Sequence, residues 1–205
     1  MIIVKLFFYL ISPVLFFIII IFSPFLTIRI SFLPAERIGE LTYQIEKYHL
    51  YTKYNFKGLS CFDIFFIGNI ICNNYYLSLI KKKIFLIKGF IIFPTYKLIK
   101  YFSEIHNYFK RFLIDNENKI EDLLNPKIVF KKDNLFTKLS NEDLIIGEKF
   151  LESLGISKKD KVVLFYVRDS EYLKVKFPNK DYSYHNFRDC KVGNFELGIN
   201  ELISR

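Results

Sequence analysis

The sequence predicts an α/β fold in which a parallel sheet follows an N-terminal hydrophobic helix. Three observations support this prediction: a long uncharged apolar run opens the chain, short β-type runs alternate with helical patterns after it, and proline or glycine closes several of these segments. Strands that alternate with helices form parallel sheets, because each helix returns the chain to the end of the sheet from which it started.

The apolar run extends from Leu6 to Ile28 without a charged residue. A helix that spans a bilayer needs about 20 such residues, and nothing resembles the small-residue cleavage site of a signal peptide. We therefore expect a hydrophobic membrane-anchor helix over residues 1–26, either single-pass or monotopic, with a buried core helix as the alternative. Basic residues are more frequent after the run than before it, which predicts a cytosolic body.

Four elements and an unassigned stretch follow in order. Period-two alternation predicts a strand over Thr27–Leu33, which a proline ends. Apolar residues at three- and four-residue spacing predict an amphipathic helix over Arg37–Lys53. The short apolar run Phe62–Gly68 is typical of a buried strand, and Asn73–Lys83 has a helical pattern. The apolar stretch Ile84–Phe93 comes next and indicates no single element.

The second half of the chain continues the alternation. Helical structure is expected over Thr95–Leu124. A further helix is predicted from Ser140, a candidate N-cap, to Leu154, with the glycine that follows as its C-terminal stop. Lys161–Val167 is a continuous β-branched and aromatic run, typical of a strand buried on both faces. The last predicted helix covers Asn194–Ser204.

Charge and cysteine content argue against several classes of protein. The chain has 205 residues and a net charge of +9, but its lysines are scattered, which is typical of a solvated surface rather than of a nucleic-acid interface. Cys61, Cys72 and Cys190 show no C-x-x-C spacing, so no metal site is expected and a reducing compartment fits best. Neither a G-x-G-x-x-G nor a Walker motif is present, so no cofactor is expected.

Ligands of parallel α/β sheets bind where strands end and helices begin. Three such loops are candidates: residues 34–41, 68–74 and 167–174. In the third loop Arg168 follows a predicted buried strand, where its planar guanidinium group can bind a diphosphate with two hydrogen bonds. The alternative is that Arg168 and Asp169 only pair with each other or cap the edge of the sheet.

A second polar segment, Asp181–Cys190, lies close to the predicted last helix. Five polar side chains fall within six positions of it: Tyr184, His185, Asn186, Arg188 and Asp189. Such a cluster is costly to bury without partners, and the first turn of a helix attracts anions. We therefore expect this segment to hold an anionic ligand, with a solvated loop as the alternative.

Three segments, Arg37–Leu41, Val167–Lys174 and Asp181–Phe195, together resemble a family of bacterial glycosyltransferases associated with surface-polysaccharide loci. The resemblance implies a GT-B architecture, in which two Rossmann-like halves face each other across a cleft. It further implies a Rossmann-like, acceptor-side domain over residues 27–155 and the beginning of a donor-side domain over residues 156–205. The second half would be truncated, because members of the family continue into further strands.

The resemblance also implies the residues that bind substrates. Arg168, with Asp169 beside it, would bind the phosphates of the donor. Arg37 and Gly39 would lie in the loop that faces the acceptor or the cleft. The donor side would be lined by Tyr184, Asn186 and Arg188.

Two residues are candidates for the base that accepts the proton of the acceptor hydroxyl, Glu40 and His185. Glu40 stands where the family usually has histidine. The implied function is transfer of a sugar from a nucleotide-sugar donor to a glycan or lipid-linked acceptor, on the cytoplasmic side of the bacterial inner membrane. Because most of the donor-binding half would be missing, whether the chain is an enzyme stays open. The alternatives are a non-catalytic, membrane-tethered protein that binds glycans or anions, and a non-functional gene fragment.

Overall fold

A computed structural model of the chain describes residues 2–55, 60–114 and 136–204. The chain divides into two compact units, Met1–Glu142 and Asp143–Arg205. The first unit contains a three-stranded parallel sheet and an N-terminal apolar helix, so these two features of the predicted α/β fold are confirmed.

In the first unit strands and helices alternate. Its elements are α1 (Ile2–Phe22), β1 (Thr27–Leu33), α2 (Ile38–Asn55), β2 (Cys61–Ile67), α3 (Asn74–Lys81), β3 (Phe85–Lys88) and α4 (Gly89–Ile105), followed by a 3₁₀ turn (Asn107–Phe112). The predicted bounds of β1, α2, β2 and α3 agree with these to within two residues. Asn73 caps α3 by accepting a hydrogen bond from the backbone N–H of Tyr76 at 2.8 Å.

The helical structure expected over Thr95–Leu124 is confirmed as far as Phe112, with an interruption at His106. Helix α4 ends at Ile105, because His106 adopts extended backbone geometry with φ −143° and ψ 130°. The Nδ1 atom of His106 accepts a hydrogen bond from the backbone N–H of Tyr108 at 3.1 Å, which starts the 3₁₀ turn. The rest of the expected helix, from residue 115 on, lies outside the described residues.

The three strands are parallel and lie in the order β1-β2-β3. β1 pairs with β2 along its whole length, with Leu33 opposite Ile67, and Ile67 in turn lies opposite Lys88 of β3. Because all three strands run in the same direction, their carboxyl ends lie at one edge of the sheet. This is the edge at which parallel sheets bind ligands.

Helices cover both faces of the sheet. One hydrophobic cluster joins α2 and α3 to the first face, and its buried members are Leu33, Ala35, Leu41, Ile45, Phe65, Ile80, Ile114 and Phe136. The other joins α1 and α4 to the second face, through Phe16, Ile19, Ile30, Phe66, Ile92, Ile99 and Phe112. Because side chains alternate between the two faces of a sheet, successive residues of β2 pack into different clusters. This explains why all residues of β2 except Cys61 and Asp63 are apolar.

A buried ion pair links β1 and β2. Arg29 lies directly opposite Asp63, and only 5% of its surface is exposed. Its Nε donates a hydrogen bond to Asp63 Oδ1 at 2.6 Å, and its Nη2 donates to Oδ2. The hydroxyl of Tyr48 on α2 also donates to Oδ2, at 2.8 Å. Burial and the Asp63 carboxylate raise the pKa of Tyr48, so its hydroxyl stays a donor at neutral pH.

One side of helix α1 packs against the rest of the first unit, and its other side is exposed. Ser12, Phe16 and Ile19 are buried, and the ring of Phe16 stacks on that of Phe102 with centroids 5.0 Å apart. The exposed side carries large apolar residues: Leu6, Phe7, Leu10, Val14, Phe17, Ile21 and Phe22. The segment Lys5–Phe22 is long and apolar enough to cross a membrane, a property that core helices and signal sequences share.

Helix α4 begins directly at the end of β3, and Gly89 makes this possible. A Cβ atom at this position would lie 2.6 Å from the carbonyl oxygen of Ile67, closer than carbon and oxygen can approach without a shift. The apolar stretch Ile84–Phe93 therefore divides here into a short strand and the start of a helix, a division that its apolar pattern does not indicate.

The second unit consists of short helices and turns. They are α5 (Asn141–Ser153), α6 (Glu171–Lys176), a 3₁₀ turn (Ser183–Arg188), a second 3₁₀ turn (Val192–Phe195) and α7 (Glu196–Ile203). Gly155 stops α5 as predicted, with φ 79°. The N–H groups of Gly155 and Ile156 donate to the carbonyl oxygens of Glu152 and Leu151, as in a Schellman motif. Helix α7 confirms most of the predicted last helix.

The buried strand predicted over Lys161–Val167 is wrong. Residues 161–169 have no regular secondary structure, and Leu164 and Tyr166 are 91% and 84% exposed. A strand buried on both faces needs neighbouring strands to accept and donate its backbone hydrogen bonds. The part of the second unit that the structure describes contains no strand, so β propensity alone does not form one here.

We expect removal of one partner of the buried ion pair to destabilise the first unit strongly. Asp63→Ala leaves the Arg29 charge buried without its partner, which costs about 3–5 kcal/mol in the free energy of unfolding. The double variant Arg29→Met/Asp63→Leu should lose much less, since neither charge remains. Glu40→Ala, which breaks an exposed ion pair with Arg37, should cost less than about 1 kcal/mol. Urea denaturation measures all three, and a loss in the double variant as large as that in Asp63→Ala would contradict this account.

A second prediction concerns the join between β3 and α4. Gly89→Ala should lower the free energy of unfolding by about 1–3 kcal/mol, because the added methyl group collides with the carbonyl of Ile67. The matched control is Gly39→Ala in α2, where no atom lies within 4 Å of the new methyl group. That variant should be neutral or more stable by up to about 1 kcal/mol. Equal thermal midpoints for the two variants would show that the close approach at Gly89 is unimportant.

Candidate functional site

The second unit contains a small pocket with a volume of about 190 Å³, lined mainly by polar residues, which we call the Arg168 pocket. Its lining combines the two polar segments singled out in the sequence, 167–174 and 181–190. The basic lining residues are Arg168, Lys174 and Lys180, and the acidic ones are Asp181 and Asp189. The neutral polar lining comes from Ser170, Tyr182, Ser183 and Asn186.

Short-range polar contacts give the Arg168 pocket its shape. The side chains of Asp169 and Asp181 each accept a hydrogen bond from the backbone N–H two residues further on, at 3.0 and 2.8 Å. These Asx turns precede α6 and start the 3₁₀ turn Ser183–Arg188. The backbone N–H of Cys190 donates to the carbonyl oxygen of Arg168 at 3.0 Å and so joins the two segments.

The guanidinium group of Arg168 forms an ion pair with Asp189, whose Oδ1 lies 3.8 Å from Nε. This distance is too long for a hydrogen bond, and Asp189 Oδ1 is buried without a donor among the described residues. Asp169, the partner considered in the sequence, instead caps α6. Three basic and two acidic lining residues leave a formal charge of +1 at the pocket. Lys174 also forms an ion pair with Glu171 outside the lining, at 2.8 Å.

Of the other residues expected on the donor side, some line the Arg168 pocket and some lie outside it. Asn186 lines the Arg168 pocket. Tyr184 and Arg188 do not line it: Tyr184 is exposed, and the guanidinium carbon of Arg188 lies 5.2 Å from the ring centre of Phe187. The side chain of His185 lies outside the part of the chain that the structure describes.

Two lysines that the sequence analysis did not single out complete the basic lining. Lys180 directly precedes the second polar segment, and Lys174 lies one helical turn after Ser170 on α6. The Nζ atom of Lys174 lies 2.8 Å from Glu171 Oε1, and that of Lys180 lies 5.2 Å from the ring centre of Phe177. The sequence signal for Lys174 was its place in the candidate loop 167–174, and that for Lys180 its place next to the second polar segment.

The residues expected to face the acceptor lie at the start of α2, just after the carboxyl end of β1. Arg37 Nη2 and Glu40 Oε1 form an ion pair at 2.8 Å, with both side chains partly exposed. Gly39 lies between them on the same helical turn, in open surroundings. Glu40 as a base would thus have one carboxylate oxygen occupied by an arginine.

Two larger cavities open at the carboxyl edge of the sheet in the first unit. The first, about 650 Å³, has aromatic walls and three lysines, and we call it the lysine-aromatic cavity. Part of its lining comes from the candidate loop 68–74, namely Gly68, Asn69 and Ile71. The second, about 600 Å³, lies between α2 and α4 and is more polar, with Lys47, Lys100, Lys110 and Glu104 in its lining. Arg37, Gly39 and Glu40 line neither of them.

Two of the three cysteines have weakly reactive thiols. Cys61, Cys72 and Cys190 are free thiols. Burial raises the pKa of both Cys61 and Cys72, so these two stay protonated and weakly nucleophilic at neutral pH. Among the described residues, no group of three or more histidine, cysteine, aspartate or glutamate side chains is placed to hold a metal ion.

Comparison of the chain with known proteins finds no match. The sequence matches no protein-family model, no curated protein and no solved structure.

Proposed function

We propose that the chain belongs to a glycosyltransferase that uses a nucleotide-sugar donor, and that the Arg168 pocket takes the donor's diphosphate. The observation that carries the proposal is the convergence of two separate polar segments on one small pocket with three basic side chains. The same two segments carry the resemblance to bacterial glycosyltransferases.

The size of the Arg168 pocket agrees with this role. Its volume of about 190 Å³ is smaller than the roughly 300–1,000 Å³ of pockets that enclose a whole organic ligand. It is large enough for a phosphate or diphosphate group, so the nucleoside and the sugar would extend beyond it. A pocket of this size positions the charged centre of the donor and leaves recognition of the rest to other residues.

Glycosyl transfer needs stabilisation of the negative charge that develops on the departing nucleoside diphosphate. The planar guanidinium group of Arg168 can donate two parallel hydrogen bonds to phosphate oxygens. Its ion pair with Asp189 involves Nε at 3.8 Å, which orients the group without satisfying its donors. Lys174 and Lys180 add charge at the rim of the pocket. Glu40 and His185 remain hypotheses for the base that accepts the acceptor proton.

We also propose that α1 attaches the protein to the cytoplasmic side of the bacterial inner membrane. The bare side of α1 presents an apolar strip from Leu6 to Phe22 that water would solvate poorly. The opposite side packs on α4 and the sheet, so lipid cannot surround the helix as it surrounds a spanning helix. This arrangement favours a monotopic position, with α1 lying in the membrane interface.

A non-catalytic anion-binding protein is the second candidate function. It is favoured by the fact that the Arg168 pocket is formed entirely within residues 168–189 of the second unit. This candidate shares the prediction of phosphate binding and differs in predicting no turnover.

The donor proposal is tested by calorimetric titration of the full chain, in non-ionic detergent, with UDP, GDP and pyrophosphate. Arg168→Ala should weaken the binding of the preferred diphosphate by roughly tenfold to a hundredfold, because a charge-assisted hydrogen bond is lost. Lys176→Ala removes a positive charge from α6 at a position that does not line the pocket, and should change the affinity less than about twofold.

Release of nucleoside diphosphate from a panel of nucleotide sugars then separates the two candidates. Turnover that Arg168→Ala abolishes supports the transferase. Saturable binding without any turnover supports the anion-binding protein. Absence of diphosphate binding, or equal effects of the two substitutions, would overturn both.

A further inference from the structure

The lysine-aromatic cavity of the first unit combines aromatic and basic lining residues, and neither the packing of the sheet nor the proposed role of the Arg168 pocket accounts for this combination. Its volume is about 650 Å³, and more of its lining surface is apolar than polar. We propose that this cavity binds a membrane lipid that carries a phosphate headgroup on a single apolar chain. The chain would lie on the aromatic wall, and the phosphate would lie among the lysines.

The aromatic wall is built from the second face of the sheet and from α4. Phe32 and Phe66 sit side by side on β1 and β2 with ring centroids 5.4 Å apart, and Phe93 packs on Phe66 at 6.0 Å. Phe66 is fully buried, whereas Phe32, Phe90 and Phe93 keep more than a third of their surface exposed. An acyl or isoprenyl chain placed on these rings would remove apolar surface from water on both partners.

The charged part of the cavity comes from three separate elements. Lys5 belongs to α1, Lys81 is the last residue of α3, and Lys88 is the last residue of β3. The lining contains no aspartate or glutamate, and no described carboxylate lies within ion-pair distance of these three lysines. Three lysines that line one cavity without an ion-pair partner among the described residues are complementary to a phosphate group, which carries up to two negative charges.

The position of α1 favours a lipid over a soluble anion or a protein segment. Lys5 and Tyr9 of α1 line the cavity. Leu6, Phe7 and Leu10, on the same two turns, are exposed apolar residues of the strip that we assign to the membrane interface. A free phosphate would have no use for the aromatic wall, and a peptide would bring polar backbone groups that the apolar wall does not satisfy.

The binding of such a lipid rests on the first unit and on the proposed membrane position of α1, and not on the transferase activity. Its use as the acceptor of a transferred sugar would rest on the proposed transferase activity, whereas its binding would not. The two proposals can therefore fail separately, since one is tested at Arg168 and the other at Lys81 and Lys88.

The experiment is a titration of the full chain, at one fixed concentration of non-ionic detergent, with decyl phosphate. Three compounds serve as controls. Decanol has the chain without the charge, and inorganic phosphate has the charge without the chain. Decyltrimethylammonium has the same chain with the opposite charge. We expect saturable binding of decyl phosphate alone among the four. Lengthening the chain from octyl to decyl should raise the affinity, by up to about fourfold for each methylene that becomes buried.

The matched variants locate the site. Lys81→Gln/Lys88→Gln should weaken decyl phosphate binding at least about tenfold, because two charged contacts are lost. Lys82→Gln/Lys149→Gln removes the same charge at exposed positions outside the cavity and should leave the affinity within about twofold. Both double variants change only exposed side chains, so a thermal melt should show both folded. Absence of binding, equal losses in the two variants, or equally tight binding of inorganic phosphate or decanol would overturn the proposal.

Discussion

The first unit depends on the ion pair between Arg29 and Asp63. The two residues oppose each other on adjacent strands, and Tyr48 of α2 donates to the same carboxylate. A shift of the strands by one residue would turn a charged side chain onto the apolar second face, which costs on the order of several kcal/mol for a buried unpaired charge. The pair thus fixes the register. The register in turn brings the ends of all three strands to the edge where both cavities of the first unit open.

The two anion sites that we propose rest on different physical chemistry. In the lysine-aromatic cavity, flexible point charges come from three elements that the sheet holds in place, and the aromatic wall supplies burial. In the Arg168 pocket, one planar guanidinium group is oriented by Asp189 and by turns of the local backbone. A membrane lipid tolerates some freedom of its headgroup. A diphosphate that leaves in a reaction must be held in one orientation, which the arginine fork provides.

The sequence predicted most elements of the first unit, because their signals are local. Period two, helical spacing and caps such as Asn73 all act within a few residues. The partnership of Arg29 with Asp63 and the convergence of lysines from α1, α3 and β3 depend on strand register and on packing between distant segments, which no local pattern contains. Lys161–Val167 shows the opposite case. Its local β propensity is strong, but the described part of the second unit contains no neighbouring strand with which it could pair. The polar segments around Arg168 were identifiable because turn-forming residues concentrate them in two short stretches.

The most direct test of the central claim observes the Arg168 side chain itself. In a ¹⁵N-labelled full chain, the arginine Nε–Hε signals would be assigned by single Arg→Lys substitutions and followed during titration with a nucleoside diphosphate. The account predicts a saturable shift of the Arg168 signal, which pyrophosphate alone also produces, while the signal of Arg29 stays in place because Asp63 and burial hold it. A titration in which the Arg168 signal does not move, or moves no more than that of Arg29, would contradict the assignment of the pocket to the donor's diphosphate.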